Sequence, residues 1–266
     1  MSTIKDHMWL WGTIVNVLQE HYHFDTSKMT IGQGLEILGL DHAMMCGNLP
    51  PTEEEYEPVK HCPELLWEMS FDEGFEYKRQ LAPIAALHEK HPSVKAVLLD
   101  DFSTTEISQG AQPSLLADMR RDMPKSLELW IVVYTMNMDI PNLEEYLEYV
   151  DGISFWVWHA KELPQIPEHV ARLHEMTNRK PTVVGAYFYD FGEMKPLTNE
   201  EMGSQIEIGV EMMAKGDSDG LCFLSSSIMD VGLDSVGWTR DWIAANGDQP
   251  FKTRKYANNW TISRKA

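Results

Sequence analysis

Eight short apolar or aromatic runs, each separated from the next by a longer amphipathic stretch, govern what this 266-residue chain can fold into. The runs are MWLWGTIVN, DHAMMCGN, LLWEMSF, KAVLLDDF, LELWIVVYTMN, DGISFWVWH, TVVGAYFYD and GLCFLSSS. Their length, their β-branched and aromatic content and the turn residues around them predict strands. Between them, apolar spacing predicts helices in SKMTIGQGLEILGL, FEYKRQLAPIAALHEKH, SLLADMRRDM, NLEEYLEYV, IPEHVARLHEMTNR, NEEMGSQIEIGVEMMAKG and SVGWTRDWIAANG. The region around EEEYEPVKHCPE is broken by Pro50, Pro51, Pro58 and Pro63 and reads as loop-like. Asn199 or Thr198 supplies an N-cap, and Gly216 and Gly247 follow helical runs as C-caps would. Asp151-Gly152 and Asp219-Gly220 stand where a helix must turn tightly into a strand.

Several strand runs are apolar nearly throughout, as parallel strands covered on both faces must be. Eight βα units in a chain of this length predict an α/β fold: a single-domain (β/α)8 TIM barrel over residues 1–250. The locally basic tail, residues 251–266, then packs on the barrel bottom or reaches a neighbouring subunit. A doubly wound open sheet is the alternative, but it calls for a Gly-rich phosphate loop after the first strand. No GxGxxG or P-loop pattern is present, and no cofactor is expected.

Charge narrows the partners. Forty-one acidic residues against 22 basic ones give a formal net charge of -19, which repels nucleic acid and anionic membranes and favours a neutral or cationic small substrate. No apolar run approaches the roughly 20 residues that cross a membrane. Cys46, Cys62 and Cys222 have no metal-ligand or redox spacing and read as reduced thiols. With no leader pattern in MSTIKDHMWLWG, the expected location is cytoplasmic; a secreted chain trimmed of its leader would read the same. The oligomeric state stays open.

In such barrels chemistry sits at the C-terminal ends of the strands. The residues there are Trp11 and Asn16, Asn48, Glu68, Asp100 and Asp101, Asn137, then Trp156, Trp158 and His159, then Tyr187, Tyr189 and Asp190, and finally Ser225 to Ser227. Carboxylates, amides and large rings with little positive charge suit carbohydrate: C–H faces of a sugar stack on Trp and Tyr, and its hydroxyls pair with Asp, Asn and His. Glycoside hydrolysis needs two carboxyl groups flanking the scissile bond. Asp100 or Asp101 on the fourth strand can face Asp190 on the seventh or Glu68 on the third. Adjacent strand residues point opposite ways, so only one of the two aspartates faces the barrel centre directly. His21 and His23 in HYHF fall after the first strand, in a loop, and no later histidine series completes a metal site.

Taken together, AVLLDDF, ISFWVWH, VVGAYFYDF and GLCFLSS resemble glycoside-hydrolase-type barrels, including uncharacterised bacterial carbohydrate-active enzymes in which an apolar strand ends in Asp-Asp-Phe. The resemblance implies carboxylate-mediated cleavage of a glycosidic bond. It puts Asp100 or Asp101 in the position such enzymes favour for a catalytic acid or nucleophile, and Asp190 near a second favoured position. The chain lacks the Asn-Glu pair of one large retaining clan and the DxxDxDxE run of chitinase-like barrels, so no family follows. The expectation is a metal-independent glycosidase with catalytic Asp100, Asp101, Asp190 and Glu68. Its substrate-binding residues are Trp156, Trp158, His159, Tyr187, Tyr189, Asn137, Asn48 and Trp11. Two alternatives are a metal-dependent sugar isomerase, epimerase or hydrolase liganded by Glu68, an aspartate and His159, and a noncatalytic sugar-binding barrel.

Overall fold

Each of the eight apolar runs forms a strand in the computed structural model, which describes residues 2–46 and 51–252. These are β1 (Met8–Gly12), β2 (His42–Met45), β3 (Glu64–Glu68), β4 (Val94–Leu99), β5 (Glu128–Tyr134), β6 (Gly152–Trp156), β7 (Thr182–Tyr187) and β10 (Gly220–Leu224). Two further short strands, β8 (Tyr189–Asp190) and β9 (Lys195–Pro196), make an antiparallel hairpin of their own. The eight long strands pair in parallel in chain order, and β10 returns to β1 with Leu221 to Leu224 against Met8 to Trp11. That closure removes both sheet edges and excludes the open doubly wound sheet.

Around the ladder run α1 (Gln19–Tyr22), α2 (Ile31–Leu38), α3 (Glu53–Tyr56), α4 (Lys78–Lys90), α5 (Pro113–Asp122), α6 (Leu143–Leu147), α7 (Ile166–Thr177), α8 (Asn199–Lys215) and α9 (Asp234–Asn246). The proline-broken region yields only the single-turn α3 and a 3-10 turn at Glu57–Val59. Thr198 caps α8 by accepting the Glu201 N–H, and Gly216 ends it at φ 80°, where a side chain is costly. Gly247 also follows its helix, but at φ -60°, so its cap does not depend on being glycine.

The two Asp-Gly turns do more than reverse the chain. Asp151 gives its N–H to the Leu129 carbonyl (2.6 Å) and takes the Leu129 N–H on its carboxylate (2.8 Å). Asp219 repeats the pattern with Thr182, at 2.7 and 2.9 Å. Each aspartate therefore fastens the start of its strand to the start of the preceding one. At the same end, Phe251 donates its N–H to Ser2 O (2.8 Å), tying the two ends of the described chain together. The tail residues 253–266 lie outside the described residues.

Every barrel strand stops before the end of its apolar run. The sixth ends at Trp156 rather than His159, and the seventh at Tyr187 rather than Asp190. Beyond Tyr187 the Phe188 N–H still reaches Leu224 O (3.2 Å), but Tyr189 and Asp190 pair with Pro196 and Lys195 instead of with the barrel.

Large rings fill the barrel interior. Trp11 and Trp156 meet edge to face at 5.4 Å, and the Trp156 indole N–H donates to Ser154 Oγ (2.8 Å). Room for these indoles comes from the neighbouring strands: a Cβ at Gly185 would fall inside the Trp156 ring, and one at Gly152 inside Trp130. Gly185→Ala is therefore expected to destabilise the fold by about 1–3 kcal/mol, the usual cost of overpacking. Urea unfolding followed by tryptophan fluorescence measures it.

Candidate active site

The fourth strand delivers the pair of aspartates to the barrel mouth by two different backbone conformations. Asp100 follows β4 directly, and Asp101 sits at φ 52°, where the chain turns away from the strand. The Asp101 N–H then donates to Asp100 Oδ1 at 2.9 Å. Thr104 and Thr105 donate their N–H groups to Asp101 O (2.9 and 2.7 Å), and Ser103 Oγ reaches Val132 O on β5 (3.3 Å). The loop carrying Asp101 is thus folded on itself and docked onto the next strand.

Asp100 is half-buried and has three acidic neighbours: Asp101, Glu68 at the end of β3, and Glu106 in the loop. Burial first, then the negative charges of Asp101 and Glu68, push its carboxyl well above the usual carboxylate range; the Asp101 N–H opposes them. Glu106 is raised by burial and by Asp101, and its Oε2 is buried without a hydrogen-bond partner among the described residues. On the β2 side, burial, then the charges of Glu68 and Asp100, raise the Cys46 thiol.

Three phenols complete the polar surface. Tyr134 is the last residue of β5; burial, then Asp100, raises its hydroxyl well above the ordinary tyrosine value. Tyr187 at the end of β7 is raised by burial, then by Asp100, and Tyr22 on α1 by burial, then by Asp101. Their rings belong to one arc. Tyr134 meets Trp158 at 5.6 Å, Trp158 meets Tyr187 at 6.2 Å, Tyr187 meets Phe191 at 5.2 Å, and Phe191 meets Tyr22 at 4.7 Å. An aromatic wall therefore stands beside a group of carboxyls that includes one disposed to hold its proton.

The sequence-predicted residues divide by place. Asp100, Asp101, Glu68, Tyr187 and Trp158 come together at this mouth. Trp11 and Trp156 lie beneath it, 3% and 1% exposed, as packing of the barrel centre. Tyr189 is buried in the hairpin against Phe24 (4.7 Å) and Phe191 (5.4 Å). Asp190 is 2% exposed, and its two carboxylate oxygens accept the Glu193 N–H (3.0 Å) and the Ala160 N–H (3.3 Å), so it ties the hairpin to the loop after β6. His159 joins the same hairpin through Glu193 Oε1 (3.1 Å). Asn137 is buried: its Oδ1 accepts the Tyr134 N–H (2.9 Å) and its Nδ2 donates to Thr104 Oγ1 (3.3 Å). Asn16 Oδ1 accepts the Ser27 N–H (2.8 Å), and Ser225 and Ser227 form a closed hydroxyl cluster with Thr13. Asn48 lies outside the described residues. Among the described residues, no three His, Cys, Asp or Glu side chains are placed to share a metal ion.

Tyr134, Tyr22, Cys46 and Glu106 were not singled out from the sequence. Tyr134 had a signal, since it follows Trp130 and Val132 at the period of two that marks one strand face. Glu106 sits in a loop and Tyr22 ends the single-turn helix α1, where no periodicity points at the mouth.

No protein-family model and no curated protein sequence matches the chain. Among solved structures it is similar to the GH99 endo-alpha-mannosidase from Bacteroides thetaiotaomicron, with a TM-score of 0.61 at 8% identity over 91% of this chain and 98% of that one. It is also similar to the Bacillus cereus spore cortex-lytic enzyme SleL, with a TM-score of 0.57 at 9% identity over 90% and 74% of the two chains. An FMN-binding beta-glucuronidase from Faecalibacterium prausnitzii L2-6 gives 0.53 at 10% identity over 85% and 40%. These likenesses establish the TIM-barrel fold shared with glycoside hydrolases and other barrel enzymes.

The raised Asp100 carboxyl has a consequence for stability. The folded state keeps its Asp100 proton to higher pH than the unfolded chain does, so Asp100 costs stability increasingly as pH rises above the unfolded value, 3.8. Asp100→Asn is expected to melt at a higher temperature than the parent at pH 7, by about 1–2 kcal/mol of stability, with the gap closing toward pH 4. Thermal unfolding across that range reads it.

Proposed function

We propose that the protein hydrolyses a glycosidic bond, with Asp100 as the general acid and its neighbouring carboxylates acting on the anomeric centre. One observation carries this reading: a half-buried carboxyl whose burial and acidic neighbours, Asp101 and Glu68, favour its protonated form, at the mouth of a TIM barrel. A glycosidase needs that pairing of an acid still protonated near neutral pH with an ionised carboxylate close by. In the reaction Asp100 gives its proton to the leaving glycosidic oxygen as the C–O bond breaks. Asp101 and Glu68 are the carboxylates available to stabilise the oxocarbenium-like charge, to attack the anomeric carbon or to deprotonate the water that replaces the leaving group. The arc from Tyr134 through Trp158 to Tyr187 offers ring faces and edges for a pyranose. The names of the similar structures, a mannosidase and a glucuronidase among them, agree with a carbohydrate substrate.

The charges acting on Asp100 are all negative, from Asp101, Glu68 and Glu106. A uronic acid would add another anion there, so the sugar bound next to Asp100 is neutral or carries an amino group.

A panel of aryl glycosides tests the assignment. Neutral hexosides or aminohexosides should be cleaved and glucuronides not, with activity unchanged by EDTA. On the glycoside that responds, Asp100→Asn should lower kcat by about 10²–10⁴-fold, the usual contribution of a general acid. If Asp101 or Glu68 is the nucleophile, azide should restore turnover to its amide variant and yield a glycosyl azide. Full activity in both Asp100→Asn and Asp101→Asn would overturn the proposal.

A further inference from the structure

The rings of the wall and the carboxyls beside it line one continuous stretch of the mouth. Side chains two apart on a strand share a face, and the ladder registers carry that face from strand to strand. Glu68 pairs with Leu98, two residues before Asp100, and Leu98 pairs with Trp130, on the face that continues to Tyr134. Tyr134 pairs with Trp156, two residues before Trp158, and Ser154 on that face pairs with Val183, which leads to Tyr187. Consecutive strand ends from β3 to β7 therefore present carboxyls first and rings after them. We propose that the sugar unit held here carries a free amino group, bound as an ammonium ion between the β4 aspartates and the rings of Trp158 and Tyr187. The inference rests on the glycosidase reading and narrows its substrate to amino sugars.

Each part of this lining receives positive charge. An aromatic face attracts a cation within about 6 Å of its centroid, and an indole does so best. Trp158 is half-buried and stands nearly perpendicular to Tyr134 (85°) and to Tyr187 (83°). Tyr187 is only 4% exposed, with its ring held by Trp156 at 5.0 Å and Phe191 at 5.2 Å. Among the described residues its hydroxyl has no hydrogen-bond partner, so a packed, barrel-facing phenol ends at the mouth with its oxygen open to a ligand. Asp101 is exposed where Asp100 is half-buried, so Asp101 is the carboxyl that an ammonium reaches from water.

The lysines of the surrounding loops are placed elsewhere. The loops that follow the eight barrel strands contain three lysines and no arginine. Lys161 pairs with Glu193 (3.2 Å) and Lys195 with Glu201 (3.8 Å), both around the hairpin. Lys28 lies in the loop after β1, where its N–H donates to Asp230 Oδ2 (2.8 Å) on the β10 side. An ammonium brings three N–H donors, which a carboxylate, a phenol oxygen and a ring face can all take. A sugar hydroxyl in its place brings one donor and no charge. An N-acetyl group brings one N–H and a carbonyl oxygen set among carboxyls.

Calorimetric titration of the parent protein tests this with methyl thioglycosides, which resist hydrolysis. The probes are 2-aminohexosides, the matching N-acetylhexosaminides and the parent hexosides, in gluco, galacto and manno form, at about pH 6, where the free amine is an ammonium. In one configuration the amine should bind at least about 10-fold more tightly than its N-acetyl and hydroxyl counterparts, the size of one charge-assisted contact. Tyr187→Phe keeps the ring and its packing, and Asp101→Asn keeps the shape of an exposed side chain. Each should reduce the amine's advantage by about 10-fold and leave the Kd of the hydroxyl counterpart within about 2-fold.

An amine that binds no more tightly than its counterparts in any configuration overturns the inference, as does an equal loss for both compounds in the two variants. The glycosidase reading then still stands if aryl hexosides or N-acetylhexosaminides are cleaved and Asp100→Asn slows their turnover. Amine selectivity together with full turnover in Asp100→Asn would remove the glycosidase reading and leave the amine site.

Discussion

The parallel ladder between β1 and β10 is the contact on which every other position depends, because it turns a row of eight strands into a tube. In an open sheet, β3 and β4 on one side and β7 on the other would be carried apart by the twist. Closure brings Glu68, Asp100 and Tyr187 around one opening. It also creates a centre to be filled, and Trp11 and Trp156 fill it, Trp156 seated over Gly185, which leaves no Cβ in its way. The two aspartate fasteners, Asp151 to Leu129 and Asp219 to Thr182, hold strand starts together at the opposite end.

That packed interior sets the electrostatics of the mouth. Indoles beneath the carboxyls are poor solvent for charge, so a carboxylate at the end of β4 meets a dry floor below and like charges beside it. Asp100 receives one backbone N–H, from Asp101, against burial and the charges of Asp101 and Glu68. Among these acids Asp100 is the one that burial and its neighbours push well above the usual carboxylate range.

The hairpin of β8 and β9 shows how fold and site are joined outside the ladder. Asp190 fastens it to the loop after β6, and Phe191 at its turn touches Trp158, Tyr187, Tyr189 and Tyr22. The aromatic wall is therefore built from β5, β6, β7, the hairpin and α1 together. Disturbing any one of these would loosen the wall without touching a carboxyl.

Local sequence determined the eight strands, most of the helices and the place of Asp100 and Asp101 at a strand end, because periodicity and capping act within a few residues. It also placed Glu68, Trp158 and Tyr187 at the mouth. What it left undecided were partners far apart in the chain. Asp190 reads like a catalytic carboxylate at the end of an apolar run, yet two backbone N–H groups claim it. Asn137 reads like a sugar-binding amide, yet it ties Tyr134 to Thr104. Trp156 reads like a stacking platform, yet it fills the barrel. Each of these outcomes is set by which atoms closure and burial bring within about 3 Å for hydrogen bonds or into ring contact for packing. Only the tertiary structure sets those distances, since each of these side chains has a partner in a distant segment: Ala160 for Asp190, Thr104 for Asn137 and Trp11 for Trp156.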